Sequence, residues 1–325
     1  MEATTLAPTA RSAPPPATIK LAPLTQHIGA QVVDLDLNDV PDDRWRMHQL
    51  KDALAQHRVL LLRGQKLSPQ ALCAIGSLWG PLMDVRQVGN GAIHVPGSDR
   101  IKVISNARDA SGLRLGDGNS AAQIWHVDAS YWEAPPGVTI FYARKTPVPP
   151  PKTAFMDMLK VYETLPPTLK DQIAPLRAIH HQYPRGVERQ IDETGPSLPL
   201  EQRLAGRSQP LVRRHLATGK PLLFLPFRRD CIVEGMNEAD SRALLDTLWD
   251  HTERSPFFGA MGLEADDVVI WDNSAVVHRR EGWPESAARV MWHVTAAGEV
   301  PTPMFQKHVV NINALGYDGR GDPSY

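Results

Sequence analysis

The sequence predicts a mainly β protein in which a β-barrel or β-sandwich core carries flanking helices. Three observations predict this class: the strand patterns are many and short, long excursions separate them, and they do not alternate with helices in the βαβ order of a parallel sheet. Strand character dominates from about residue 100 and returns near residue 266. We assign strands to 102–107, 123–132, 137–143, 152–158, 266–273 and 288–296.

Four elements precede these strands. Residues 28–37 alternate apolar and polar side chains, which predicts a strand. A helix opens after Pro41-Asp42-Asp43, where apolar residues recur at helical spacing. Residues 57–64 form a nearly continuous apolar run, which is typical of a strand buried on both faces. Ser68-Pro69 supplies an N-cap and a first-turn proline for a second helix, which ends at Gly80-Pro81.

The chain is expected to form a single domain over residues 18–310. Residues 1–17 are rich in Ala, Pro, Ser and Thr and predict a disordered tail, and residues 311–325 predict a polar C-terminal tail. Within the domain, residues 159–255 are interpreted as a helical insert that covers part of the mouth of the core. Its helices are expected near 165–174 and 237–251.

Composition excludes several classes of partner. The 325 residues contain 35 Lys and Arg against 36 Asp and Glu, for a net charge of −1, so neither nucleic acid nor an anionic membrane is expected as a partner. No apolar run approaches the ~20 residues that span a bilayer, and no signal peptide is evident. The two cysteines, Cys73 and Cys231, are too few for a disulfide framework and favour a cytoplasmic protein with reduced thiols. The composition leaves a homo-oligomer open.

The most informative local pattern is Trp125-His126-Val127-Asp128. In an extended strand His126 and Asp128 face the same side and could bind one metal ion, although such a pair also occurs on ordinary solvated strands. Far downstream, His278 follows an apolar strand. Two histidines and one carboxylate are the set that holds Fe(II) on one face of an octahedron and leaves three positions open. The sequence therefore predicts a metal site formed by His126, Asp128 and His278.

From about residue 20 to residue 297, the chain resembles the taurine dioxygenase / 2,4-dichlorophenoxyacetate dioxygenase family of Fe(II)- and 2-oxoglutarate-dependent oxygenases. The family's iron motif matches His126, Asp128 and His278. Its 2-oxoglutarate motif has a Thr 27 positions after the first ligand, here Thr153, and an Arg 11 positions after the last, here Arg289. The resemblance is carried by IGAQVVDLDL, ALAQHRVLLLRGQKLSPQAL, WHVDASYWEAPPGVTIFYA, VVIWDNSAVVHR and AARVMWHVT.

This resemblance implies a double-stranded β-helix, the cupin-like jelly-roll, as the core. It also implies an enzyme with Fe(II), 2-oxoglutarate and O2. The cosubstrate would chelate the iron, while Arg289 and Thr153 bind its far carboxylate, which a guanidinium can grip with two parallel hydrogen bonds. The expected reaction is hydroxylation of a C–H bond in a small organic substrate, with release of succinate and CO2.

Alternatives stay open at this point. The same iron chemistry can lead to desaturation, epoxidation or cyclisation. A non-catalytic metal-binding jelly-roll protein would need neither Thr153 nor Arg289, and a hydrolytic metalloenzyme would use the same three ligands to activate water on Zn²⁺.

The substrate residue suggested by the resemblance is His293. In taurine dioxygenase the position four residues after the 2-oxoglutarate arginine is an arginine that grips the sulfonate, and here it is His293. Because 289, 291 and 293 share one face of a strand, His293 is expected to point into the barrel and contact a substrate without a sulfonate. The alternative is that His293 only fills space beside Met291.

Three other groups are interpreted as structural. His180 and His181 are expected to be exposed rather than metal-binding. The arginines 228, 229, 279 and 280 are expected to be solvated charges, although basic residues near the mouth could also attract an anionic substrate. The segment 271–273 is expected to serve packing and turn formation.

Overall fold

The computed structural model describes residues 18–85, 92–182 and 198–305, so the predicted tails 1–17 and 311–325 lie outside the described residues. The strands are β1 Lys20–Pro23, β2 Ala30–Val33, β3 Val59–Leu62, β4 Lys102–Ser105, β5 Gln123–His126, β6 Val138–Lys145, β7 Lys152–Asp157, β8 Arg177–His180, β9 Arg207–Pro210, β10 Val212–Arg214, β11 Pro221–Leu223, β12 Ile232–Val233, β13 Phe258–Gly262, β14 Val268–Asp272, β15 Val276–Arg280 and β16 Val290–Ala296. The α-helices are α1 Arg44–His57, α2 Pro69–Gly76, α3 Met158–Glu163, α4 Pro167–Ile173, α5 Leu200–Leu204 and α6 Glu238–Arg254.

Two larger sheets form the core. One has seven strands in the order β1-β2-β3-β14-β6-β16-β4, and the other has four in the order β13-β7-β15-β5. Pairing is antiparallel except between β2 and β3, which are parallel. The chain passes from one sheet to the other at six connections, which are β4–β5, β5–β6, β6–β7, β13–β14, β14–β15 and β15–β16. The structure thus confirms the predicted mainly β class with flanking helices.

Alternation along each strand creates three apolar layers. Phe155 of β7, Trp271 of β14 and Met291 of β16 belong to one buried cluster, so the two sheets face each other across it. The opposite face of the seven-stranded sheet packs on α1 and α2, with Leu60 and Ile270 in that second cluster. The outer face of the four-stranded sheet packs on the segment 159–255 in the third. Odd and even positions of one strand therefore enter different layers.

Most predicted elements form, with shorter bounds. Helix α1 begins after Asp43, whose side chain accepts from two backbone N–H groups, and α2 begins after the Ser68 N-cap, as the capping signals predicted. The strand predicted over 28–37 is limited to Ala30–Val33, because Asp34 has a φ of 57°, in the left-handed region, and a 3-10 turn capped by Asp36 follows at Leu37. The strand predicted over 123–132 ends at His126.

The insert is not purely helical. The segment 159–255 contains α4, α5, α6 and most of α3, and it also contains the short strands β8 to β12, which form sheets of three and two strands. These strands have two to four residues each. Such runs are too short for a reliable alternation pattern, so the prediction of helices alone was incomplete.

Within the described ranges, no helix combines the length and apolar character needed to cross a membrane.

Candidate metal and cosubstrate site

His126, Asp128 and His278 come together between the two sheets. His126 of β5 and His278 of β15 are directly paired across the strands, and their ring centroids are 4.2 Å apart. Asp128 Oδ1 lies 3.6 Å from His126 Nε2 and 3.8 Å from His278 Nε2. One ligand atom from each residue lies within 4.8 Å of the others, close enough for all three to hold one metal ion. The residues predicted from sequence spacing are thus brought into one cluster.

The ionisation states of this cluster suit a metal cation. Burial lowers the pKa of His278 to about 3, with a further contribution from His126, so its imidazole is neutral at pH 7. Burial would raise the pKa of Asp128, but the charges of His278 and His126 and a hydrogen bond from His126 hold it well below its usual range. His126 Nδ1 lies 2.8 Å from the carbonyl of Ile124. Because a carbonyl only accepts, Nδ1 carries a proton in this contact, and Nε2 is the ring nitrogen that faces Asp128.

Thr153 and Arg289 are both buried polar residues without a full set of partners. Arg289 is 3% exposed, its Nη2 has no hydrogen-bond partner among the described residues, and burial lowers its pKa to about 10. Thr153 is 5% exposed and its hydroxyl likewise has no described partner. Leaving buried donors unpaired is costly, so both residues favour an acceptor from a bound ligand. A carboxylate fits this demand.

Arg280 is the site residue that sequence reasoning missed. Arg279 is exposed as expected, but Arg280 is buried, which corrects the expectation of a solvated charge. Arg280 is the cross-strand partner of Thr153 and donates to the carbonyl of Ala121 at 2.9 Å. Burial, and then the charge of Arg289, lower the pKa of Arg280 to about 9. The sequence could have indicated that Arg280 lies at the site, because positions 278 and 280 share one face of a strand.

The Trp283 ring lies between these two cations. It is 4.2 Å from the Arg280 guanidinium carbon and 5.5 Å from that of Arg289. Among the described residues, neither guanidinium has a carboxylate within ion-pair distance. Two buried positive charges without a described carboxylate partner therefore lie beside the Trp283 ring.

His293 lies on the predicted face of β16. Met291 belongs to the cluster between the sheets, whereas the alternate residues pack on the opposite layer, as expected. The His293 ring meets Phe141 edge-on with centroids 4.9 Å apart, and its buried Nε2 has no described hydrogen-bond partner. Burial lowers the pKa of His293 to about 4, although Asp128 opposes the shift. The imidazole is therefore neutral at pH 7. The residues of β16 that pack on the opposite layer are Val290, Trp292 and Val294.

His180 and His181 are buried, so the expectation that they are exposed was wrong. His180 ends strand β8, which lies between β9 and β12, and its ring stacks on Phe224 at 4.8 Å. His181 Nδ1 lies 3.6 Å from the Cys231 thiol. Burial lowers the pKa of His180 to about 3 and that of His181 to about 4. The two residues are not part of the His126, Asp128 and His278 group.

The turn between β14 and β15 is held by a buried polar network. Asp272 Oδ2 accepts from His215 Nε2 at 2.7 Å, and His215 Nδ1 lies 2.7 Å from the Thr218 hydroxyl. Asp272 Oδ1 accepts from the backbone N–H and hydroxyl of Ser274 at 3.0 and 2.5 Å. Arg213 donates to the Ser274 carbonyl. The predicted role in turn formation is thus confirmed.

Asn273, in the same turn, is fully buried and reaches the loop that contains Asp128. Its Oδ1 accepts from the N–H of Asp128 at 3.1 Å, and its Nδ2 donates to the carbonyl of Asp128 at 3.1 Å. Nδ2 also donates to the carbonyl of Pro136 at 2.9 Å. The sequence contained no signal for these contacts, because the partners are far apart along the chain.

Comparisons with known proteins agree with this geometry. Residues 20–295 match the model of the family described as "Taurine catabolism dioxygenase TauD, TfdA family". The chain is 28% identical over 293 residues to an (S)-phenoxypropionate/alpha-ketoglutarate-dioxygenase from Delftia acidovorans, covering 88% of this chain and 97% of that protein. It is 28% identical over 278 residues to an alpha-ketoglutarate-dependent 2,4-dichlorophenoxyacetate dioxygenase from Cupriavidus pinatubonensis, covering 84% and 96%.

A solved structure is also similar. The crystal structure of a taurine dioxygenase from Burkholderia xenovorans superposes with a TM-score of 0.70 at 26% identity, covering 88% of this chain and 93% of that one. Together with the family match, this likeness confirms the resemblance seen in the sequence and the jelly-roll core that it implied.

The Asp272 network generates a pH-dependent prediction. Burial would raise the pKa of Asp272, but the hydrogen bond and charge of His215, with Ser274, lower it. An Asp whose folded pKa is depressed stabilises the fold above its unfolded pKa of about 4 and loses that contribution as pH falls through the folded value. Asp272→Asn is therefore expected to lower the free energy of unfolding by about 1.5–3 kcal/mol at pH 7. The difference from the original chain should shrink below about pH 4.

Urea unfolding between pH 3 and 7 measures this difference. Asp34→Asn, which alters an aspartate whose side chain is 71% exposed, serves as the control and should change stability little at any pH. A loss for Asp272→Asn that is independent of pH would contradict the assigned charge state.

Proposed function

Because the chain belongs to the taurine catabolism dioxygenase TauD, TfdA family, we propose that it is a Fe(II)- and 2-oxoglutarate-dependent enzyme that hydroxylates a C–H bond of a small organic substrate. Family membership makes the chain a dioxygenase and hence an oxidoreductase. In the proposed reaction, 2-oxoglutarate and O2 give succinate and CO2. One oxygen atom enters succinate and the other enters the substrate as a hydroxyl group. The observation that carries this proposal is the His126, Asp128 and His278 cluster, with the neutral imidazole of His278 and the ionised carboxylate of Asp128.

The three residues of the cluster are the proposed metal ligands. Imidazole nitrogen and carboxylate oxygen suit Fe(II), and three protein ligands leave room for further ones. The metal would supply the activation of O2 coupled to the decarboxylation of 2-oxoglutarate. The protein contributes ligands already in the required protonation state, so no proton must leave His278 or Asp128 before the metal binds.

Arg289 and Thr153 are the proposed 2-oxoglutarate residues. Both carry buried donors without described partners. A carboxylate at this position would accept from the Thr153 hydroxyl and the Arg289 guanidinium. It would also offset the positive charges of the buried residues Arg280 and Arg289, which repel each other.

His293 is the proposed substrate residue. Its neutral ring can donate or accept one hydrogen bond, but it cannot clamp a sulfonate as a permanent two-pronged cation would. We therefore expect the substrate's polar group to be a carboxylate, a hydroxyl or an amino-acid-like group. The relatives named for phenoxypropionate and 2,4-dichlorophenoxyacetate support a small organic acid.

A cytoplasmic location completes the proposal. Cys73 and Cys231 are both free thiols, which favours a reducing compartment.

We predict that His126→Ala or His278→Ala abolishes turnover, because two remaining ligands hold Fe(II) poorly against water and buffer. Iron content and succinate formation from 2-oxoglutarate in air are the measurements. His48→Ala, which removes a histidine whose side chain is 66% exposed, is the matched control and should keep both. Near-normal iron content in either site variant would remove the metal assignment.

We predict that Arg289→Ala raises the apparent KM for 2-oxoglutarate at least tenfold. Loss of one partner of a desolvated charge pair costs about 2–5 kcal/mol, and each 1.4 kcal/mol is about tenfold in affinity. Iron content should not change, because Arg289 is not a proposed ligand. Arg242→Ala, at a side chain that is 73% exposed, is the control. An unchanged dependence on 2-oxoglutarate would show that the cosubstrate binds elsewhere or is not used.

For His293 we predict that taurine does not support succinate formation by the unaltered enzyme. A panel of small organic acids, screened by succinate formation and followed by mass spectrometry of the product, identifies the substrate. With that substrate, His293→Ala should raise KM by about tenfold through the loss of one hydrogen bond, whereas His293→Gln should retain part of the affinity. Robust taurine turnover, or unaltered kinetics in His293→Ala, would contradict the assignment.

A further inference from the structure

Two asparagine side chains hydrogen-bond to the backbone of Asp128 and Arg289, each of which lies just outside the end of a strand. The pairing of β5 with β15 ends at His126, so the peptide groups of Asp128 lie beyond the sheet ladder. The chain turns sharply there, because Ala129 has a φ of 49°, in the left-handed region. Backbone groups at such a position need partners from elsewhere.

Asn273 supplies those partners. Its carboxamide both accepts from the N–H and donates to the carbonyl of Asp128, which is what a neighbouring strand would do. Its second donated bond, to the carbonyl of Pro136, ties the far side of the same loop. Asn273 is fully buried in the β14–β15 turn. The hydrogen bond between Asp272 and His215 holds this turn and does not involve the loop that contains Asp128.

Asn106 makes the equivalent contacts at Arg289. The pairing of β4 with β16 ends at Ser105 and Val290, and Arg289 is the next residue outward. Asn106 Oδ1 accepts from the N–H of Arg289 at 2.9 Å. Its Nδ2 donates to the carbonyls of Glu285 and Ala287 at 3.1 and 3.0 Å, which ties the segment leading into Arg289.

We propose that Asn273 and Asn106 are separate positioning residues: Asn273 sets the place of the Asp128 carboxylate for the metal, and Asn106 sets the place of the Arg289 guanidinium for 2-oxoglutarate. This inference rests on the proposed function, because it takes Asp128 as a ligand and Arg289 as the cosubstrate cation. Each asparagine acts through the backbone of a different functional residue. The two should therefore affect different affinities.

The physical reason lies in how tightly a site must hold its groups. Residues that hydrogen-bond to metal ligands typically contribute about 10–100-fold to the affinity for the metal. A misplacement of about 1 Å can cost about 100-fold in the rate of a reaction that depends on positioned groups. Removal of Asn273 frees both peptide groups of Asp128, whereas removal of Asn106 frees the N–H of Arg289 and leaves the metal cluster untouched.

The test is a double dissociation in binding, measured without turnover. Mn(II) alone is titrated into the metal-free full-length protein and followed by electron paramagnetic resonance. Binding of 2-oxoglutarate is then measured by calorimetry at saturating Mn(II). Asn273→Ala is expected to weaken Mn(II) binding about 10–100-fold and to change 2-oxoglutarate binding less than about threefold. Asn106→Ala is expected to weaken 2-oxoglutarate binding at least about fivefold with Mn(II) binding unchanged.

If the asparagines had only a structural role, each substitution would weaken the binding of Mn(II) and of 2-oxoglutarate together. That result would overturn the proposal, and so would no change in either affinity. If Asn273→Ala does not fold in a thermal scan with chelator, Asn273→Asp replaces it. This substitution keeps the shape and the acceptor but loses both donated bonds, so Mn(II) binding should still weaken despite the added negative charge. Unchanged Mn(II) affinity in Asn273→Asp would overturn the proposal.

The proposed function fails in a different way. If the unaltered protein and His126→Ala bind Mn(II) equally, the ligand assignment itself is wrong. If His126→Ala loses Mn(II) and Asn273→Ala does not, only the positioning role is wrong.

Discussion

The hydrogen bond between the buried Asp272 carboxylate and His215 is the interaction on which the site depends most. It fixes the turn where the chain leaves the seven-stranded sheet at β14 and enters the four-stranded sheet at β15. His278 follows this turn directly on β15, and Asn273 within it reaches Asp128. Buried charged groups tolerate little displacement from their partners. This turn therefore holds the two sheets in place relative to each other at the point where His126, Asp128 and His278 meet.

The inner faces of the two sheets serve both as core and as site. Phe155, Trp271 and Met291 close the apolar cluster there, and the same alternation places His278 and Thr153 on the same faces. Buried donors without partners reduce the stability of the fold. Unpaired buried donors of this kind are typical of functional positions, where a ligand supplies the missing acceptor.

The segment 159–255 supports the site as well as flanking it. The β10–β11 hairpin carries Arg213 and His215, which hydrogen-bond to Ser274 and Asp272 in the turn before β15. Farther along the segment, Phe227 stacks near His126 with ring centroids 6.3 Å apart. A segment interpreted from sequence as a cover therefore also contacts His126 and the turn that leads to His278.

The sequence by itself determined the class of the fold, the residue types of the candidate site and the face of β16 that enters the core. These depend on local properties: strand periodicity, capping residues and the spacing of His126, Asp128, Thr153, His278 and Arg289 that carried the resemblance. Only the tertiary structure decided that His180, His181 and Arg280 are buried, that the insert contains strands, and that Asn273 and Asn106 hold the site's backbone. The physical reason is that burial and hydrogen-bond partners are set by segments far apart in the chain. Asn273 and Asp128 are separated by 145 positions, and no local pattern in either segment specifies the other.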